Sequence, residues 1–178
     1  MKNKKVNVSL ILAITIATIV FALDLTSKYL VEYFLPNVGD SANFLPGFIG
    51  FVVVHNDGAG WNLLSGMPAL LIVLTLAILA LLVTFYALQM KKYRNKTSKL
   101  LSIAFAFIVG GCLGNLYDRI FFGYVRDFLN FEFINFPVFN LADTFLTIGV
   151  ILFVIYFIFF YGREDKKKDI AKEEEKNS

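Results

Sequence analysis

The apolar positions of this chain come in long unbroken runs, and the polar positions gather between them. Four stretches carry no charged residue: Val6–Leu23, Ala69–Gln89, Leu100–Tyr117 and Thr144–Tyr161. Each is near the roughly 17 to 25 residues that a helix rising about 1.5 Å per residue needs to cross the hydrocarbon of a bilayer. The runs are continuous and do not alternate, which predicts four membrane-spanning helices. A strand is predicted at the β-branched run Val52–Val54, which ends at Asn56-Asp57-Gly58, a turn signal of the hairpin kind. A strand unit beside a membrane must satisfy its own backbone, so this one belongs in or above the headgroups.

Composition excludes a soluble domain: 57% of the 178 residues are hydrophobic and only 17% are charged. Four spans leave room for one integral membrane domain, residues 1–161, followed by a polar tail, 162–178. Fourteen of the 17 Lys and Arg lie in Met1–Lys5, in the KKYRNKTSK loop between the second and third spans, or after Tyr161. Only Lys28, Arg119 and Arg126 remain for the other side. Positive-inside asymmetry then puts both termini, the tail and the middle loop in the cytoplasm, and the segments Asp24–Pro68 and Asp118–Asp143 outside. The net charge of +3 is on this reading an orientation signal, with no nucleic-acid partner implied. MKNKK followed by an apolar run ending in VFA has the outline of a cleavable signal peptide, but the run exceeds the 7 to 15 residues of such a core. One Cys and one His exclude a disulfide framework and a Cys- or His-rich zinc site, and no cofactor is called for.

The polar residues assigned outside carry the candidate chemistry. Asp24 and Lys28 are four apart, so on a helix they share a face and can pair; a snorkelling lysine with its counter-ion is the plainer account. Trp61 reads as an interfacial belt residue. Gly110 and Gly114 form a GxxxG pair that speaks for close helix packing. Gly111, Asn115 and Arg119 are spaced by four in one stripe, with Asp118 three from Asn115, so polar groups lie where another helix packs tightly. Asn140 is a good N-cap and Asp143 sits at N3, which completes a capping box on its own terms. Asp127 taken alone is a loop acid in an aromatic segment. A four-helix bundle, however, brings the ends of the third and fourth spans side by side, where Asp127 and Asp143 can meet. Two carboxylates in a poorly solvated site cannot both ionise cheaply, so one pKa rises and the other falls. Such a pair supplies a base for water and an acid for a carbonyl, which is aspartyl hydrolase chemistry without metal or nucleophilic side chain.

Five segments in order, DLTSK, HNDGAGW, GGCLGNLYDR, YVRDF and FNLAD, resemble those of the lipoprotein signal peptidases, or signal peptidase II, an aspartyl membrane protease family. The resemblance covers roughly residues 8 to 161. It implies an all-α integral membrane protein of four helices with a small extracytoplasmic β element and an interfacial helix, the latter two within residues 36 to 66. It implies Asp127 and Asp143 as the catalytic pair, supported by Asp24, Lys28, Asn56, Gly58, Asn115, Asp118, Arg119 and Asn140. It further implies an endopeptidase of the bacterial cytoplasmic membrane, active near the outer face, that cleaves diacylglyceryl-modified prolipoproteins just before the lipidated Cys. Membrane lipid and cyclic-peptide inhibitors of the globomycin type are the other partners it implies. The chain departs from the commonest pattern at His55, Gly60, Trp61 and Arg126. An apolar residue is usual at the last of these, and alternation along an extended segment predicts that Arg126 faces lipid headgroups, away from Asp127.

Three other classes compete. A carboxylate-based transporter needs an acid mid-span to pass an ion, and none is present. A structural protein built on GxxxG contacts has no use for Asp127 and Asp143 together. A hard-cation site of Asp118, Asp127 and Asp143 is distinguished by sensitivity to chelators.

Overall fold

The structure, a computed structural model, describes residues 8–58, 63–92 and 98–162; Gly60, Trp61 and the tail beyond residue 162 lie outside them. Four helices long and apolar enough to cross a membrane are present: α1 (Val8–Phe34), α2 (Pro68–Lys92), α3 (Lys99–Phe121) and α4 (Leu141–Phe159). Each contains most of one expected span. The first continues well past the expected end at Leu23, because Asp24 and Lys28 form an ion pair of 2.7 Å on one face and the helix need not stop to expose them.

Small residues set the packing. Gly110 lies against Ala17 and Val20 of α1, and Gly111 against Ala142 and Leu146 of α4; a Cβ at either position would meet those atoms within 2.5 to 3.2 Å. Gly149 of α4 packs on Phe107 and Ile108 in the same way. The helix α3 is therefore held between α1 and α4 and is mostly buried, whereas the other three are mostly exposed along their lengths. Their exposed faces are Leu, Ile, Val and Phe, as lipid requires. These pairings make α1 and α3 parallel and α4 antiparallel to both, so the C-terminal ends of α1 and α3 meet the N-terminal end of α4.

A three-stranded antiparallel sheet sits at that end, with β1 (Ser41–Leu45), β2 (Ile49–Asn56) and β3 (Val125–Phe131) in the order β1-β2-β3. Two sequence expectations change here. Asn56-Asp57-Gly58 is no hairpin, since β2 pairs with β1 before it and with β3, far along the chain. The turn is instead an Asx turn, with the Gly58 N–H donating to Asn56 Oδ1 at 2.9 Å. The segment around Asp127, expected as an extended aromatic stretch at the interface, is the strand β3 and pairs with β2. Between β2 and α2, no helix occurs among the described residues.

Candidate active site

Asp127 lies in the middle of β3 and Asp143 in the first turn of α4, and the chain between them doubles back to bring them together. Leu129 and Phe139 exchange backbone hydrogen bonds of 2.7 and 3.0 Å, which sets the next residue, Asn140, beside Asp127. The Asn140 side chain donates from Nδ2 to Asp127 Oδ1 at 2.7 Å and accepts on Oδ1 from the Asp143 N–H at 2.9 Å. Asp143 Oδ2 in turn accepts from the Asn140 N–H at 3.2 Å, so the expected capping box is present. The capping role and the meeting of the two acids thus use the same atoms.

A relay of amides completes the pair. Asn115 of α3 donates from Nδ2 to Asp143 Oδ1 at 2.7 Å, and its Oδ1 accepts from Asn140 Nδ2 at 3.0 Å and from Lys28 Nζ at 3.2 Å. Asn56 at the end of β2 donates to Asp127 Oδ2 at 2.8 Å. Behind this lies a buried ionic layer. Lys28 reaches Asp24 and Asp118 at 2.7 and 3.1 Å with all three side chains fully enclosed, and Asp24 Oδ1 accepts from the Ala142 N–H. Gly114 leaves the room: a Cβ there would meet the Asp24 carboxylate and Ala142. The snorkelling account of Lys28 fails, since its ammonium is buried in protein. Arg119 donates from Nη2 to Gly58 O at 2.9 Å, and its Nε is buried without a partner among the described residues. All ten residues singled out from the sequence therefore belong to one connected polar network.

Asn56, Asn115, Arg119, Asp127 and Asp143 line a cavity of about 410 Å³ whose other wall is apolar, with Phe131, Phe139 and Leu146 among its side chains. Burial pushes the Asp127 carboxyl up to about 7, and the nearby Asp143 charge adds to the rise against the hydrogen bonds of Asn56 and Asn140. A carboxyl there holds its proton around neutral pH, as a general acid must.

Arg126 is a correction. It was expected to face headgroups, yet it is 3% exposed. Its guanidinium donates from Nε and Nη2 to Asp118 Oδ1 at 3.2 and 2.8 Å and from Nη1 to Glu32 Oε2 at 3.0 Å, between the rings of Tyr29 and Phe122. Alternation along β3 holds, so Arg126 and Asp127 do point to opposite faces. The second face is covered by α1 and α3, however, and not by lipid. Burial weighs against the charge, but the bonds to Asp118 and Glu32 outweigh it and hold the guanidinium above its ordinary pKa. Sequence reasoning missed Glu32 altogether. Its signal was there, since Asp24, Lys28 and Glu32 repeat every four residues along one stripe of α1.

A polytopic bundle with two carboxylates joined through amides at the wall of a half-apolar cavity has the form of a membrane hydrolase. Comparison with known proteins makes that class specific. The sequence model of the family described as Signal peptidase (SPase) II matches residues 16–159. A lipoprotein signal peptidase of Lactobacillus johnsonii is 38% identical over 141 residues, 79% of this chain and 87% of its own length. One of Enterococcus faecalis is 36% identical over 149 residues, 84% and 89% of the two chains. A solved bacterial membrane enzyme, determined by the in meso method at 2.3 Å, superposes with a TM-score of 0.74 at 34% identity, covering 82% of this chain and 87% of that one. This chain belongs to the signal peptidase II family, and it is a multi-pass bacterial membrane peptidase.

Proposed function

We propose that this peptidase removes the signal peptide from diacylglyceryl-modified prolipoproteins, cutting just before the lipidated Cys, with Asp127 and Asp143 as its catalytic pair. The observation that carries the reading is the pair itself, two acids tied through Asn140 and Asn115 at one cavity wall. One carboxylate takes a proton from a water between them. The protonated partner hydrogen-bonds the scissile carbonyl and later gives its proton to the leaving amine. The roles belong to the pair, which titrates as a unit. Asn56 and Asn115 hold the acids by their amides, and the free Arg119 Nε supplies a donor for the substrate backbone. The apolar wall suits acyl chains, which position the Cys and add little affinity, because the substrate already lies in lipid. The same cavity suits an apolar cyclic peptide of the globomycin type.

In the orientation we propose, the sheet and the cavity face the outside and both termini the cytoplasm. Supporting this, Lys91 and Lys92 close α2 and Lys99 opens α3 at the end of the bundle away from the sheet. The membrane domain then runs to about residue 161, with the polar tail as a cytoplasmic extension. Purified protein in detergent should cleave a diacylglyceryl-modified prolipoprotein and should cleave the unmodified precursor far more slowly, as read by the size of the released peptide. Equal rates on both would remove the lipid from the reading.

A further inference from the structure

We infer that Arg126 is a positioning residue for cleavage, acting through Asp118 and Lys28 on the Asn115 amide that holds Asp143. The inference rests on the reading of Asp127 and Asp143 as the reacting pair.

The enclosed layer behind the site holds two carboxylates, Asp24 and Asp118, and two cations, Lys28 and Arg126, with Glu32 at its half-exposed rim. Asp118 is fully saturated: Oδ1 accepts from Arg126 Nε and Nη2, and Oδ2 from the Arg126 N–H at 3.0 Å and from Lys28. Lys28 forms ion pairs with Asp24 and Asp118 and donates a hydrogen bond to Asn115 Oδ1. That last bond matters to the chemistry. An amide offers a donor at one end and an acceptor at the other, and Lys28 on Asn115 Oδ1, together with Asn140 Nδ2, turns Nδ2 toward Asp143.

Without the Arg126 side chain, Asp118 Oδ1 is a buried, unpaired carboxylate oxygen, and the layer carries one excess negative charge. Lys28 is the cation already in contact with that carboxylate, and any movement toward it comes at the expense of Asn115 Oδ1. The groups that face Arg126 are Asp118 of α3 and Phe122 just past its end, Glu32 and Tyr29 of α1, with His55 of β2 beyond Glu32 at 3.6 Å and stacked on Tyr124. Those that face the reacting pair are Lys28 of α1, Asn115, Arg119 and Cys112 of α3, Asn56 of β2 and Asn140 ahead of α4. No other cation among the described residues enters the layer to replace Arg126.

The test compares Arg126→Met, Arg126→Lys and Asp118→Asn/Arg126→Met, each purified in detergent, with kcat and KM determined across pH. For Arg126→Met, lost positive charge raises the pKa of both reacting carboxyls. The whole pH profile should therefore move upward by about half a unit to one unit, with kcat reduced more than KM is changed. Arg126→Lys keeps the charge and should keep the profile, and removing Asp118 together with Arg126 restores the balance and should return the profile toward the parent's. A parental profile and kcat per folded Arg126→Met enzyme would overturn the inference and leave the residue a packing element. If Arg126→Met does not accumulate folded, the other two decide: a displaced profile in either overturns it. Asp143→Asn run in parallel separates the two readings, because retained cleavage there defeats the pair itself, whereas an inactive Asp143→Asn beside an unshifted Arg126→Met defeats only Arg126.

Discussion

Two pairs of enclosed carboxylates lie within one polar network here and are treated in opposite ways. Asp24 and Asp118 meet cations directly, Lys28 for both and Arg126 for Asp118. Asp127 and Asp143 accept their hydrogen bonds from Asn56, Asn115 and Asn140 and from one backbone N–H. An ion pair places an opposite charge against a carboxylate, and its attraction offsets the cost of leaving water only when both partners remain. An amide orients a carboxylate without supplying the charge that would fix it as an anion, so the second pair remains able to exchange a proton. The first pair is a support and the second, in the function proposed, the instrument, and the difference lies in what stands opposite each oxygen.

The sharpest way to break the contrast is to remove titration from the amide-held pair. Asp127→Asn and Asp143→Asn should each lower kcat by about 10⁴-fold or more, with the double variant no worse than either single, because residues acting as a unit are not additive. Cleavage of modified prolipoprotein by the purified variants reads this directly. Relief of like charges would by itself leave both variants at least as stable as the parent. The hydrogen bonds temper that expectation: both oxygens of each acid face N–H donors, so an amide there sets one N–H against another, at about 1 to 3 kcal/mol. Near-parental melting is the expected balance.

Breaking the cation-held pair should do the reverse. Lys28→Met strands Asp24 and Asp118 together without their shared counter-ion and should cost about 3 to 5 kcal/mol, visible as a large fall in detergent Tm. Activity falls with it, since Asn115 Oδ1 loses one of its two donors and keeps only Asn140 Nδ2. A Lys28→Met protein that melts like the parent would show that the layer is not the support described.

The smallest effect is a slope. Folded Asp127 titrates at about 7 against an ordinary 3.8, so the native state holds the proton more tightly than the unfolded chain. Between those values the native state binds more protons, and stability falls as pH rises; the contribution is complete below 3.8 and lost as pH passes 7. Tm measured from about pH 4 to 8 should decline more steeply in the parent than in Asp127→Asn, which has no such proton to lose. Equal slopes would mean that Asp127 ionises as an ordinary acid.

Much of this was legible in the sequence, because hydrophobic runs of membrane length have few other uses and because Asp24 and Lys28, or Asn140 and Asp143, declare themselves by spacing. The strand β3 was not legible as a strand. Its first four residues, Val125 to Phe128, are buried whichever face they point to, so the alternation that marks a half-exposed strand is missing. Arg126 misled for the same reason: the rule about opposite faces was sound, but it says nothing about what covers the second face. The Leu129–Phe139 pairing that delivers Asn140 to Asp127 is a contact across ten residues with no local signature.

The four-residue spacing of Asp24 and Lys28 also bears on how such a protein is made. A chain leaves the ribosome from its N-terminus, so α1 meets the bilayer before α3 or β3 exists to receive its polar groups. A lone carboxylate or ammonium in that helix would resist insertion. Carried one turn apart, the two travel as a neutral couple, and the helix brings its own counter-ion. Only when α3 arrives can Lys28 also pair with Asp118 and donate to Asn115, so the pair that eases biogenesis later becomes the foundation of the site.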